Sequence, residues 1–179
     1  MLSVFDTFLL VIDVQEKLLP RMQQKETLTR NLQTIIQGAR VFSLPVIYTE
    51  QAPNKIGTTI PELAPLLKGC DRFEKLSFSC YGLPDFVMKV TALKKKNVIV
   101  AGVETHVCVY QTVLDLIKMG FNVHVVVDAV SSRTPLNKEI GLNLMSRAGA
   151  NLTSTETVLC ELLKRAEGKE FKEIFDLIK

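Results

Sequence analysis

Short runs made almost entirely of valine, isoleucine and leucine recur along the chain, and longer stretches with helical spacing separate them. The clearest are "FLLVIDV" (8–14), "LPVIYTE" (44–50), "NVIVAG" (97–102) and "NVHVVVDAV" (122–130). A strand that is apolar on every residue has to be covered on both faces, which requires a parallel sheet between two helical layers. The segment 25–42 reads as a helix, with Leu28, Leu32, Ile35, Ile36 and Ala39 at helical spacing. Helices are also expected over 83–96, 105–120 and 136–149, a short strand over 151–155, and two helical segments after it. "PNKIGTTIPELAPLL" reads as a loop with a short helix, and 73–82 as a stretch holding a short strand. With no repeat, low-complexity tract or linker, 179 residues fit one domain, 1–179. The expected architecture is a three-layer α/β/α sandwich with a mostly parallel, open, doubly wound sheet of five or six strands, Rossmann-like in its layering.

The net charge of +3 is too small to argue for nucleic acid or an anionic membrane. The one tight basic cluster, "LKKKN" (93–97), reads as a solvated helix end, where lysines favour the carbonyl pole of the dipole. No apolar stretch reaches the length of a membrane span, and "TFLLVIDV" is about half of what is needed. It also starts the fold rather than preceding a cleavage site, so no signal peptide is expected. Cys70, Cys80, Cys108 and Cys160 have no CxxC spacing, which suggests reduced thiols and a cytoplasmic location.

In such a sheet, ligands bind beyond the carboxyl ends of the strands. The polar residues at those ends are Asp13, then Thr49, Glu50 and Gln51, then "GVETHVC", then Asp128. Asp13 directly follows "LLVI", a setting for a partly desolvated general base or for a carboxylate capping a neighbouring loop. Asp128 reads more readily as a turn residue holding "AVSSRTP". If Thr105 caps the helix, Cys108 falls in its first turn, where the dipole favours a thiolate and free N–H groups can hold an oxyanion. The other reading is a small buried hydrophobe. His106 lies about 200° around the helix from Cys108, and His124 sits well back in its strand as a core residue. A Cys–His pair and a histidine-rich metal site are therefore both disfavoured, and a carboxylate has to serve as base, Asp13 first. Lys75, in the apolar setting of "FEKLSFSC", is either a surface lysine or the cation such a carboxylate needs.

"LLVIDVQ", "EKLSFSCYG" and "VIVAGVETHVCVYQTVLDLIKMGFNVHVVVDAVSSR" resemble, in order and spacing, the isochorismatase-like cysteine hydrolases, the superfamily that includes nicotinamidases. "TEQAPNKIGTTIPEL" is most similar to the isochorismatase domain-containing branch. The resemblance implies a six-stranded parallel sheet and a catalytic triad of Asp13, Lys75 and Cys108. It also implies a cis peptide between Val103 and Glu104, with the N–H groups of Glu104 and Cys108 forming an oxyanion hole. Glu50, Gln51, Phe78 and Tyr81 would wall the substrate pocket. Metal-binding relatives use histidines after the second strand; "YTEQAPNKIG" has none, so neither a metal nor another cofactor is expected, and nicotinamide is disfavoured as substrate. Relatives that cleave a vinyl ether lack the cysteine, so Cys108 argues for acyl transfer through a thioester. The expectation is an amidohydrolase acting on a small molecule, assembled as a homo-oligomer. An ester or vinyl-ether hydrolase, and a binding or scaffold protein, are the alternatives.

Overall fold

The computed structural model describes residues 1–179 and contains a single six-stranded sheet, every strand parallel to its neighbours. The strands are β1 (Thr7–Ile12), β2 (Val46–Gln51), β3 (Asp71–Lys75), β4 (Asn97–Val103), β5 (Asn122–Ser131) and β6 (Asn151–Thr153), in the order β3-β2-β1-β4-β5-β6. The helices are α1 (Lys25–Val41), the single turn α2 (Pro53–Ile56), α3 (Pro84–Ala92), α4 (Tyr110–Lys118), α5 (Pro135–Arg147), α6 (Thr155–Leu163) and α7 (Lys169–Ile178). Alternation along the pleat divides the core in two. Leu9 and Val11 of β1 join Ile99 and Ala101 of β4 beneath α1, α6 and α7. Phe8, Leu10 and Ile12 join Val98 and Val100 beneath α3, α4 and α5. No helix is long and apolar enough to cross a membrane.

Strand order reverses between β1 and β4, so the crevice beyond their carboxyl ends is the place where a ligand can enter. The backbones approach closely there. Gly102 has φ +119°, and a Cβ at that position would strike the main chain of Ile12.

Several boundaries differ from the sequence reading. The third strand lies at 71–75, earlier than 73–82, and the residues after it form a loop with one 3-10 turn at Cys80–Gly82. The helix expected at 83–96 stops at Ala92. The segment 105–120 opens as a π-helical turn, Thr105–Val109, in which the Val109 N–H reaches back five residues to the Glu104 carbonyl at 3.2 Å. Glu104, not Thr105, occupies the cap position; Thr105 is buried inside the turn with its hydroxyl unpartnered. β5 continues to Ser131 across a bulge, because β4 registers Val100 with Val125 but Gly102 with Val130. Asp128 sits in that bulge and accepts the Thr155 N–H and hydroxyl, each at 2.9 Å. It therefore anchors the start of α6 rather than the loop 129–135.

Candidate active site

β1 ends with its hydrogen-bond ladder intact for one more residue, since the Asp13 N–H donates to the Thr49 carbonyl at 3.1 Å. The chain then turns through a left-handed residue, φ +52° at Asp13, leaving the carboxylate fully buried at the crevice. Both oxygens are engaged. Oδ1 accepts the Thr49 hydroxyl at 2.7 Å, and Oδ2 accepts the Lys75 ammonium at 2.6 Å. Lys75 is the last residue of β3, two strands away from β1, and its side chain is 1% exposed. Its Nζ also meets Gln51 Oε1 at 2.9 Å and the carbonyls of Phe78 and Ser77 at 3.0 and 3.2 Å. An ammonium has three protons, so four acceptors saturate it. Burial alone would lower its pKa, but the Asp13 carboxylate and the thiols of Cys108 and Cys80 reverse this and raise it.

Cys108 sits in the π-helical turn, 7% exposed. Burial, reinforced by the Asp13 charge and only partly offset by Lys75, pushes its thiol up to about 12. The helix-start argument for a resting thiolate is therefore overturned: desolvation and an adjacent carboxylate outweigh the dipole. The group at rest is a neutral thiol facing a carboxylate. Beside it, the Val103–Glu104 peptide is cis. The Glu104 carbonyl accepts from Val107 and Val109, while its N–H meets no acceptor in the protein. Its side chain turns away to Arg133, whose Nε lies 3.0 Å from Oε2.

Of the four expected pocket walls, Glu50 is corrected. Alternation along β2 sends Thr49 and Gln51 toward Asp13 and Lys75, and Glu50 to the opposite face. There Oε1 takes the Thr59 N–H and hydroxyl, both at 2.7 Å, and Oε2 takes Arg72 Nε at 2.9 Å. Burial pushes the Glu50 pKa up, but these bonds and the Arg72 charge prevail and lower it. Gln51 stays at the site as a holder of Lys75. Phe78 contributes its carbonyl while its side chain is largely exposed, and Tyr81 is half-buried with an unpartnered hydroxyl. His106 bonds Ser132 through Nδ1 at 3.0 Å, and His124 is a core residue whose pKa burial lowers. All four cysteines are free, and Cys80 packs behind Thr49 with its sulfur 3.4 Å from the Thr112 hydroxyl. The sequence reading gave no role to Thr49 or Gln15. Their signal was spacing: each falls two residues from a group that the site uses, Thr49 along β2 and Gln15 just past the turn at Asp13.

Residues 7–157 match the isochorismatase domain. Isochorismatase domain-containing protein 1 of Danio rerio is 37% identical over 169 residues, which cover 93% of this chain and 59% of that protein's length. Among solved structures, the MAR1 ribonuclease of Caenorhabditis elegans is 38% identical with a TM-score of 0.93, covering 99% of this chain and 91% of that one. The YcaC gene product of Escherichia coli, described as an octameric hydrolase of unknown specificity, is 30% identical with a TM-score of 0.93, covering 98% and 89%.

Proposed function

The chain belongs to the isochorismatase family, and we propose that it is a cysteine amidohydrolase cleaving a small-molecule amide through Asp13, Lys75 and Cys108. The observation that supports this most is the buried Asp13–Lys75 pair at 2.6 Å with the Cys108 thiol facing its carboxylate. As the Cys108 sulfur bonds to the carbonyl carbon, its proton passes to Asp13. The negative charge moves to the carbonyl oxygen, held by the N–H groups of Glu104 and Cys108. Asp13 then protonates the departing nitrogen, the C–N bond breaks, and a thioester is left. Asp13 next takes a proton from water, whose oxygen attacks the thioester; the carbon–sulfur bond breaks and the proton returns to sulfur. Lys75 takes no part in substrate binding, because its protons are already committed. Its charge balances the carboxylate through the cycle.

A ribonuclease name attaches to the worm neighbour. Here the reacting carboxylate and ammonium are 0% and 1% exposed, a setting that suits a small acyl substrate more than a polymer. Self-association belongs to the same proposal. The E. coli neighbour is octameric, and Leu136, Ile140 and Leu144 recur every four residues along α5 with their side chains exposed, as a face covered by another copy would have them. Four free thiols fit a reducing compartment. The test is a panel of small amides, esters and vinyl ethers assayed with wild type and Cys108→Ala. Amide turnover that disappears in the variant, with its circular dichroism unchanged, is the expected result. Full hydrolysis by Cys108→Ala, or turnover confined to esters or ethers, would sink the reading.

A further inference from the structure

Gln15 lies two residues beyond Asp13 and is completely buried. Its side-chain amide pairs with the main chain of Gln51 at both ends. The Gln51 N–H donates to Gln15 Oε1 at 2.7 Å, and Gln15 Nε2 donates to the Gln51 carbonyl at 3.0 Å. A second Nε2 bond, 2.6 Å, ties the Gly57 carbonyl to the same amide. β1 has ended at Ile12, so this side chain continues, for one more step, the ladder its own backbone no longer supplies.

Gln51 in turn acts in two directions. Oε1 reaches Lys75 Nζ at 2.9 Å, and Nε2 reaches the Leu76 carbonyl at 2.7 Å. The second bond fixes which end of the amide faces the ammonium, and it pins the loop whose next two carbonyls, Ser77 and Phe78, cap that ammonium. The Gln15–Gln51 pairing thus connects, through the Gln51 side chain, to every partner of Lys75 other than Asp13, beside the β2–β3 ladder that also holds the Gln51 main chain. A lysine carries four rotatable bonds, so an ammonium held by a single carboxylate would sample other positions.

We propose that Gln15 is a positioning residue: through Gln51 it fixes the Lys75 ammonium against Asp13 at the place from which it acts on Cys108. The inference rests on the reading of Cys108 as the attacking group, yet its test needs no substrate. Iodoacetamide alkylation of Cys108 is followed by peptide mass spectrometry, which resolves it from Cys70, Cys80 and Cys160, across pH 7–10. Gln15→Met is made in wild type and in the background Asp13→Asn/Lys75→Met, where both charges are removed together. In wild type, Gln15→Met slows Cys108 alkylation about tenfold, the effect of about one unit upward in thiol pKa as the ammonium is released. In the neutral background it changes nothing further, because there is no ammonium left to place. Equal slowing in both backgrounds means that Gln15 only supports the fold, and no slowing in wild type means that it does not place Lys75; either result overturns the proposal. If Gln15→Met does not fold, as judged by near-ultraviolet circular dichroism, Gln15→Asn, which keeps the amide but is one carbon too short to hold both Gln51 main-chain atoms, enters the same cycle with the same two criteria. Failure of the amidohydrolase reading would show separately, as hydrolysis retained by Cys108→Ala, and leaves the cycle interpretable.

Discussion

Replacing Asp13 by asparagine should move two properties of Cys108 in opposite directions. With its thiol near 12, Cys108 at pH 8 is about one part in ten thousand thiolate, against roughly a quarter for an ordinary cysteine. Resting alkylation is therefore expected to be about three orders of magnitude slower than that of a free thiol. After burial, the largest cause of this elevation is the Asp13 charge. A carboxylate beside a titrating group is worth about 1–3 pKa units. Asparagine keeps the shape and removes the charge, while Lys75 retains Gln51, Ser77 and Phe78 as acceptors and now faces the thiol without compensation. Alkylation at pH 8 should accelerate by about tenfold to a thousandfold. Amide hydrolysis should fall by about 100-fold or more, because the proton acceptor for the attack is gone. The assay is iodoacetamide trapping resolved by peptide, alongside turnover of the best amide from the panel. If Asp13→Asn slows alkylation and hydrolysis together, Asp13 activates the thiol at rest, and the neutral-thiol account is refuted.

Other expectations follow from the same geometry. Gly102→Ala places a methyl group against the Ile12 main chain at a positive φ; it should cost about 3 kcal/mol in urea denaturation and remove hydrolysis even where the protein folds. Glu50→Gln should cost about 1–3 kcal/mol at pH 7, at the lower end because Arg72 is partly exposed, with turnover by the surviving fold nearly intact. The Glu50 pKa is depressed in the folded protein, so its contribution is complete above the ordinary glutamate value of 4.5 and is lost as pH falls through the lower folded value. The stability difference between wild type and Glu50→Gln should accordingly vanish on acidification; a constant difference down to pH 2 would contradict the pairing. Ile140→Lys on α5 should reduce the mass measured by light scattering if that face joins copies, and an unchanged mass would remove the face from the account.

The sheet was legible because strands covered on both faces leave short apolar runs, rich in β-branched residues and too short for a buried helix, and β1, β2, β4 and β5 all carry one. Asp13 and Cys108 were legible as polar residues ending such runs. Lys75 was readable from its apolar neighbours, although the strand holding it was placed late because Arg72 and Glu74 dilute the apolar signal of an edge strand. Glu50 was misread for a reason local to β2: three consecutive polar residues end the strand, and only the pleat tells which of them face the crevice. The thiol's state was misread because a dipole argument needs an exposed helix end, whereas this turn is π-helical and buried beside a carboxylate. Gln15 carries only its spacing from Asp13 as a signal, because its partners are main-chain atoms 36 residues away and local pattern does not name them.

The strand order also dictates how the protein comes into being on the ribosome. β3, β2 and β1 form one half of the sheet, complete at Lys75, and β4, β5 and β6 form the other. The acid and the cation therefore belong to the half that is synthesised first, and the sulfur follows Lys75 by 33 residues, roughly 2–7 seconds at ordinary rates of synthesis. Throughout that interval β1 presents an open edge, apolar on both sides, which is a template for pairing with another chain. Docking of β4 closes this edge and delivers Cys108 in the same movement. The same pairing that completes the site thus also removes an exposed edge.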